Sequence, residues 1–165
     1  MKVIIVGAGI GGLTAALSMQ RVGIKVKVFE ASPDTNPLTY GINLLPHASR
    51  ELCDLGFKSA IDQIAIRTHA THYCSIDGRL IISDPCGTFA GYRWPQWSMC
   101  RSDLQRLLLD HYIREAGDDA IVYHAQLSNF VQTGNKVTGH FLNPENGRIT
   151  QEEADLLIGA DGLHS

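Results

Sequence analysis

The chain has 165 residues, room for one domain or for one domain and part of another, and enough to bury a core. Hydrophobic residues make up 44% and charged residues 19%, a globular balance, and the net charge of −3 comes with no basic block, which argues against a nucleic-acid partner. No uninterrupted apolar run reaches the roughly 18 residues of a membrane span, so no integral membrane segment is expected; Cys53, Cys74, Cys86 and Cys100 lack C-x-x-C spacing and read as thiols of a cytoplasmic protein.

Val3–Val6 is a run of four β-branched residues and predicts a buried parallel strand. Gly7, Gly9 and Gly12 follow with G-x-G-x-x-G spacing, and a helical pattern runs from about Gly11 to Val22, ended by Gly23. Residues 24–30 predict a second strand closed by Glu30, 18 positions past Gly12. This is the layout of a dinucleotide-binding βαβ unit, and its ligand class is FAD or NAD(P). Gly7 permits the tight turn, Gly9 lets the pyrophosphate approach the backbone, and Gly12 lets helix and strand pack closely. The free N–H groups at the helix start suit phosphate. Glu30 can accept from ribose hydroxyls and would repel a 2′-phosphate, which favours FAD or NAD over NADP.

Residues 31–46 hold three prolines and predict a long irregular loop. A short helix is expected from His47 to Leu55, stopped by Gly56. From 64 to 100 the character changes. Alternation at 64–69 and 71–76, Asp77-Gly78 as a hairpin turn and a returning strand from Arg79 predict inserted antiparallel strands. Pro95 argues against a central strand at 92–99. Ser102 and Gln105 have capping-box spacing at the head of a helix closed by Gly117. Short strands are expected at 120–123, 127–132 and 135–142, then a turn at 143–147 and a last strand running into Asp161-Gly162.

Three segments together, Gly7–Gly12 with Glu30, Arg101-Ser-Asp-Leu-Gln-Arg-Leu-Leu, and Leu157-Ile-Gly-Ala-Asp-Gly-Leu-His-Ser165, resemble the FAD-dependent aromatic-ring monooxygenases of the p-hydroxybenzoate hydroxylase fold. Residues 36–46 and 92–101 look most like those of phenazine-modifying members. The resemblance implies an α/β fold, a Rossmann-like FAD-binding βαβ domain over 1–165 with inserted antiparallel strands at about 64–100. It implies FAD as cofactor, NAD(P)H as electron donor, and transfer of one oxygen atom from O₂ to a small aromatic substrate. By resemblance, Gly7, Gly9, Gly11 and Gly12 bind the pyrophosphate, and Glu30 and Ala31 lie at the adenosine ribose. The backbone near Leu127 flanks the adenine, Arg101 contacts the flavin side, and Asp161 lies near the pyrophosphate and ribityl region. No catalytic acid or base is implied in this part. Asn36 stands where family members often carry arginine. Family chains continue into a substrate sheet and a second, Gly-Asp, flavin motif, so this chain is expected to be the N-terminal part, truncated relative to the family.

Plainer readings stay open beside these. Arg101 can pair with Asp103 or Glu115, and Asp161 can serve only as a turn residue. Phe89, Tyr92, Trp94 and Trp97 either line a pocket or anchor the inserted strands. His72 and Cys74 share one strand face and His69 the other, which speaks against a metal site. Two other functions remain: a different Rossmann oxidoreductase, or a non-catalytic truncated nucleotide-binding protein.

Overall fold

The computed structural model describes residues 1–33 and 40–162. Its contacts divide the chain into two units, Met1–Pro37 with Gln105–Ser165, and Leu38–Leu104. The first unit opens with strand β1 (Lys2–Val6), helix α1 (Ile10–Arg21) and strand β2 (Lys25–Phe29). Gly23, with φ of 78°, donates its N–H to the Gln20 carbonyl and ends α1 as expected.

The second unit contains β3 (Gly41–Leu44), α2 (Pro46–Asp54), α3 (Lys58–Ile64), β4 (Ile66–Arg67), β5 (Ala70–Cys74), β6 (Leu80–Pro85) and β7 (Trp97–Cys100). The inserted strands are antiparallel: β3, β7 and β4 form one sheet in that order, and β5 and β6 form a separate ribbon. The ribbon turns at Asp77-Gly78, where Gly78 donates to Ser75 and Ser75 donates to Arg79. The helix at residues 58–64, seated by buried Ile61, was not anticipated. Two expectations are corrected. Part of the loop expected at 31–46 is β3, whose four residues pair with β7. Pro95 does not keep β7 at an edge; β7 is central because its ladder starts at Trp97, two residues past the proline. Trp97 is fully buried and its indole N–H donates to Asp62 at 2.9 Å, so this aromatic is an anchor of the unit. Phe89 and Tyr92 are exposed.

Helix α4 (Arg101–Ala116) leads back into the first unit. It begins one residue ahead of Ser102, so the expected capping box does not form. The Ser102 hydroxyl instead lies 2.9 Å from the Cys100 thiol. Then come β8 (Ile121–Val122), β9 (Gln126–Thr133), β10 (Lys136–Leu142), β11 (Ile149–Ala154) and β12 (Leu156–Gly159). The polar run at 149–154 gave no strand signal; β11 forms there because β10 pairs with it over six residues.

Strands β12, β1, β2 and β8 make a parallel sheet in that order, and β9, β10 and β11 an antiparallel one. Being central, β1 is buried on both faces from Val3 to Val6, which is why it is uniformly β-branched. Ile4 and Val6 join Phe29, Ala125, Phe141 and Ala154 in a core cluster, with Phe29 and Phe141 stacked at 3.8 Å. Each of the larger side chains, Ile4, Val6, Phe29 and Phe141, contributes about 1.5–3 kcal/mol by leaving water. Val3 and Ile5 face the opposite side by strand alternation. From α4, buried Tyr112 brings its hydroxyl within 3.1 Å of the Val26 carbonyl and 3.2 Å of the Ala120 carbonyl. Burial pushes that phenol's pKa up to about 12.

Candidate functional site

The C-terminal ends of β1, β2 and β12 converge on the turn at residues 7–12. Gly7 donates to the Phe29 carbonyl at 2.7 Å, and Ala160, just past β12, donates to the Val6 carbonyl at 2.7 Å. The first of these bonds ties the turn to β2, and the second ties β12 to the end of β1. Gly7 has φ of 103°, and a Cβ there would lie 2.7 Å from the Ala160 carbonyl carbon and 3.0 Å from the Asp161 Cα. A Cβ on Gly12 would run into the Gly7 carbonyl. Both glycines are therefore demanded by close backbone approach. Gly11 is exposed, and a Cβ there would meet nothing within 4 Å.

Gly9 caps α1, and its carbonyl accepts the first helical bond, from Leu13 at 2.9 Å. Helix geometry leaves the N–H groups ahead of Leu13 without intrahelical partners, at the positive end of the helix dipole. The Glu30 carboxylate spans the base of the turn. Its Oε2 accepts from the Ala8 N–H at 2.7 Å and its Oε1 from the Ser32 N–H at 2.9 Å. Each oxygen keeps a further acceptor site. The segment after β8 is laced to the same place, since Ala125 donates to the Glu30 carbonyl and His124, at φ of 53°, donates to the Ser32 carbonyl. Leu127, at the start of β9, packs against the core cluster. Ala31 and Asp161 are exposed.

Within the first unit the structure thus brings together Gly7, Gly9, Gly11, Gly12, Glu30 and Asp161, with Ala31 next in sequence and Leu127 one short segment beyond Ala125. Arg101 belongs to the second unit. There its N–H donates to the Tyr40 carbonyl at 2.9 Å and its guanidinium stands 5.6 Å from the Tyr40 ring centre. Asn36 lies outside the described residues. Sequence reasoning missed Gln105: it is buried and its Nε2 donates to the Ala8 carbonyl at 2.8 Å. Its polar character on an otherwise apolar helix face was the available signal.

A family model described as FAD binding domain matches residues 1–165. The chain belongs to this FAD-binding domain family. It is 38% identical to the phenazine 1,6-dicarboxylic acid hydroxylase PhzS of Lysobacter antibioticus over 99% of its length, covering 40% of that protein. Among solved structures it is similar to p-nitrophenol 4-monooxygenase PnpA of Pseudomonas putida DLL-E4. The TM-score is 0.88 at 21% identity, over 99% of this chain and 41% of that one, a likeness of fold. HpxO of Klebsiella pneumoniae, solved with FAD and uric acid, is 25% identical with a TM-score of 0.77, over 95% of this chain and 38% of that one. The chain therefore spans about 40% of the length of the curated relatives it matches. The turn, the open helix start and the Glu30 carboxylate fit the adenosine diphosphate part of FAD.

No helix among the described residues is long and apolar enough to cross a membrane.

Proposed function

We propose that this chain is the FAD-binding part of an NAD(P)H-dependent monooxygenase that hydroxylates an aromatic or heteroaromatic ring. The observation that carries the reading is the Gly7–Gly12 turn with Glu30 bonded across its base and Asp161 beside Gly7. In this reading Gly7, Gly9, Gly11 and Gly12 hold the pyrophosphate by backbone N–H groups and the helix dipole. Glu30 accepts from the ribose hydroxyls through its remaining lone pairs, with Ala31 beside it. The start of β9 at Leu127 flanks the adenine. Asp161 lies at a strand C-terminus, where ligands gather in open α/β sheets. Arg101 offers a fixed cation toward the flavin side. Bound FAD would supply two-electron redox chemistry and the activation of O₂. The residues of this chain bind and orient it, and none is assigned an acid or base role. The relative at 38% identity is a phenazine 1,6-dicarboxylic acid hydroxylase, so phenazine carboxylic acids are the first substrates to try. The four cysteines, all thiols, are in keeping with a cytoplasmic setting.

The test is an absorbance spectrum of the purified chain after incubation with FAD and desalting. A retained flavin spectrum that NADH or NADPH bleaches without oxygen supports the reading. A folded chain that keeps no flavin but binds NAD would replace it with a nicotinamide-dependent oxidoreductase.

A further inference from the structure

We propose that Gln105 is a positioning residue of the phosphate-binding turn: its side-chain amide sets the orientation of the Ala8–Gly9 peptide and so aims the Gly9 N–H at the phosphate. The inference rests on the FAD reading above and adds a residue that the dinucleotide fingerprint does not contain.

In a trans peptide the carbonyl and the following N–H point in opposite directions, and no cis peptide is present among the described residues. Gln105 Nε2 holds the Ala8 carbonyl at 2.8 Å, on the buried side of the turn. The Gly9 N–H, in the same peptide plane, is thereby directed away from Gln105. The Ala8 N–H is already taken by Glu30 at 2.7 Å, so it is not available to a ligand. Ala8 is fully buried, held at its N–H by one side chain and at its carbonyl by another.

Such a double hold has a reason. Gly7 and Gly9 flank Ala8, and glycine resists few backbone conformations. A flip of the Ala8–Gly9 peptide turns on φ of Gly9, which glycine leaves free, and would present a carbonyl oxygen to the phosphate in place of an N–H. A buried glutamine is itself costly unless its amide is bonded, and Gln105 is 6% exposed. The cost is offset by the bond that holds the turn.

The test uses the whole chain and three probes: FAD, ADP and adenosine. Gln105→Met keeps length and volume and removes the donor. FAD and ADP affinity should both fall about tenfold, the scale of one hydrogen bond made to a charged group, while adenosine affinity stays unchanged because adenosine carries no phosphate. Gln105→Glu should weaken FAD and ADP at pH 8, where the carboxylate cannot donate. It should regain affinity relative to the unaltered chain as the pH is lowered toward 5.5 and the buried carboxyl takes up a proton. If Gln105→Met fails to fold, that pH-dependent recovery carries the test. Equal losses for ADP and adenosine would mark a merely structural role and overturn the inference; so would unchanged FAD and ADP affinity, or no recovery of Gln105→Glu. Failure of the unaltered chain to bind FAD or ADP overturns the FAD reading and this inference together, whereas binding by the unaltered chain with indifferent variants removes only this inference.

Discussion

The glycine turn of the first unit and the β5–β6 ribbon of the second are built on opposite terms. Around the turn, a fully buried Ala8 has its N–H and carbonyl both taken by side chains, and two glycines sit where a Cβ would strike backbone. Along the ribbon, Tyr73, Leu80, Ile81 and Ile82 are all about half exposed or more, although the sequence alternates like a half-buried strand. Tolerance of change follows the number of neighbours a residue is locked against, not how strongly its sequence signals an element.

The largest expected effect is at the turn. Gly12→Ala places a Cβ against the Gly7 carbonyl, and we expect a loss of about 3 kcal/mol or more, read from the urea midpoint, with no flavin retained. A near-native midpoint would mean that α1 can slide away from β1. Next, Glu30→Ala leaves the buried Ala8 N–H without its acceptor, a cost of about 1–3 kcal/mol. Flavin retention should be lost, whereas Glu30→Gln, which keeps an acceptor, should lose less of both.

A third test lies in the second unit. The Arg67 guanidinium, donating to Asp62 at 2.8 Å, holds that carboxyl well below the usual carboxylate range, helped by the Trp97 indole and the Lys58 ammonium. A depressed pKa in the folded chain contributes stability above the unfolded value of about 3.9 and loses it as pH falls through the folded value. Asp62→Asn should therefore cost about 1 kcal/mol at pH 7, and its deficit against the unaltered chain should shrink below pH 4. Urea midpoints from pH 7 to 2 check the sign; a deficit that grows on acidification would contradict it. The smallest effect is expected on the ribbon: Ile81→Thr should leave stability within about 0.5 kcal/mol. A larger loss would show that the ribbon is locked like the turn.

Legibility from sequence followed range. Gly7–Gly12 and Glu30 were readable because the turn, the strand before it and the helix after it are contiguous. Helix ends at Gly23, Gly56 and Gly117 were readable for the same reason, each at positive φ. Residues 41–44 and 149–154 carry no strong strand pattern, and they are strands because β7 and β10 supply partners. Gln105 was misread because its spacing from Ser102 imitates a cap, while its bond goes to a carbonyl 97 positions earlier. The neighbourhood of Asp161 was suggested by resemblance, but that it runs beside Gly7 follows from parallel pairing of β12 with β1.

The sequence by itself determined the dinucleotide-binding unit and the kind of ligand it takes, because local sterics of glycine and β-branched residues leave few other conformations for that stretch. Which side chains hold the Ala8 peptide, which strand is central beside Pro95 and which apolar residues stay in water were decided only by tertiary structure. Each depends on a pairing between distant segments, and no local propensity encodes the partner.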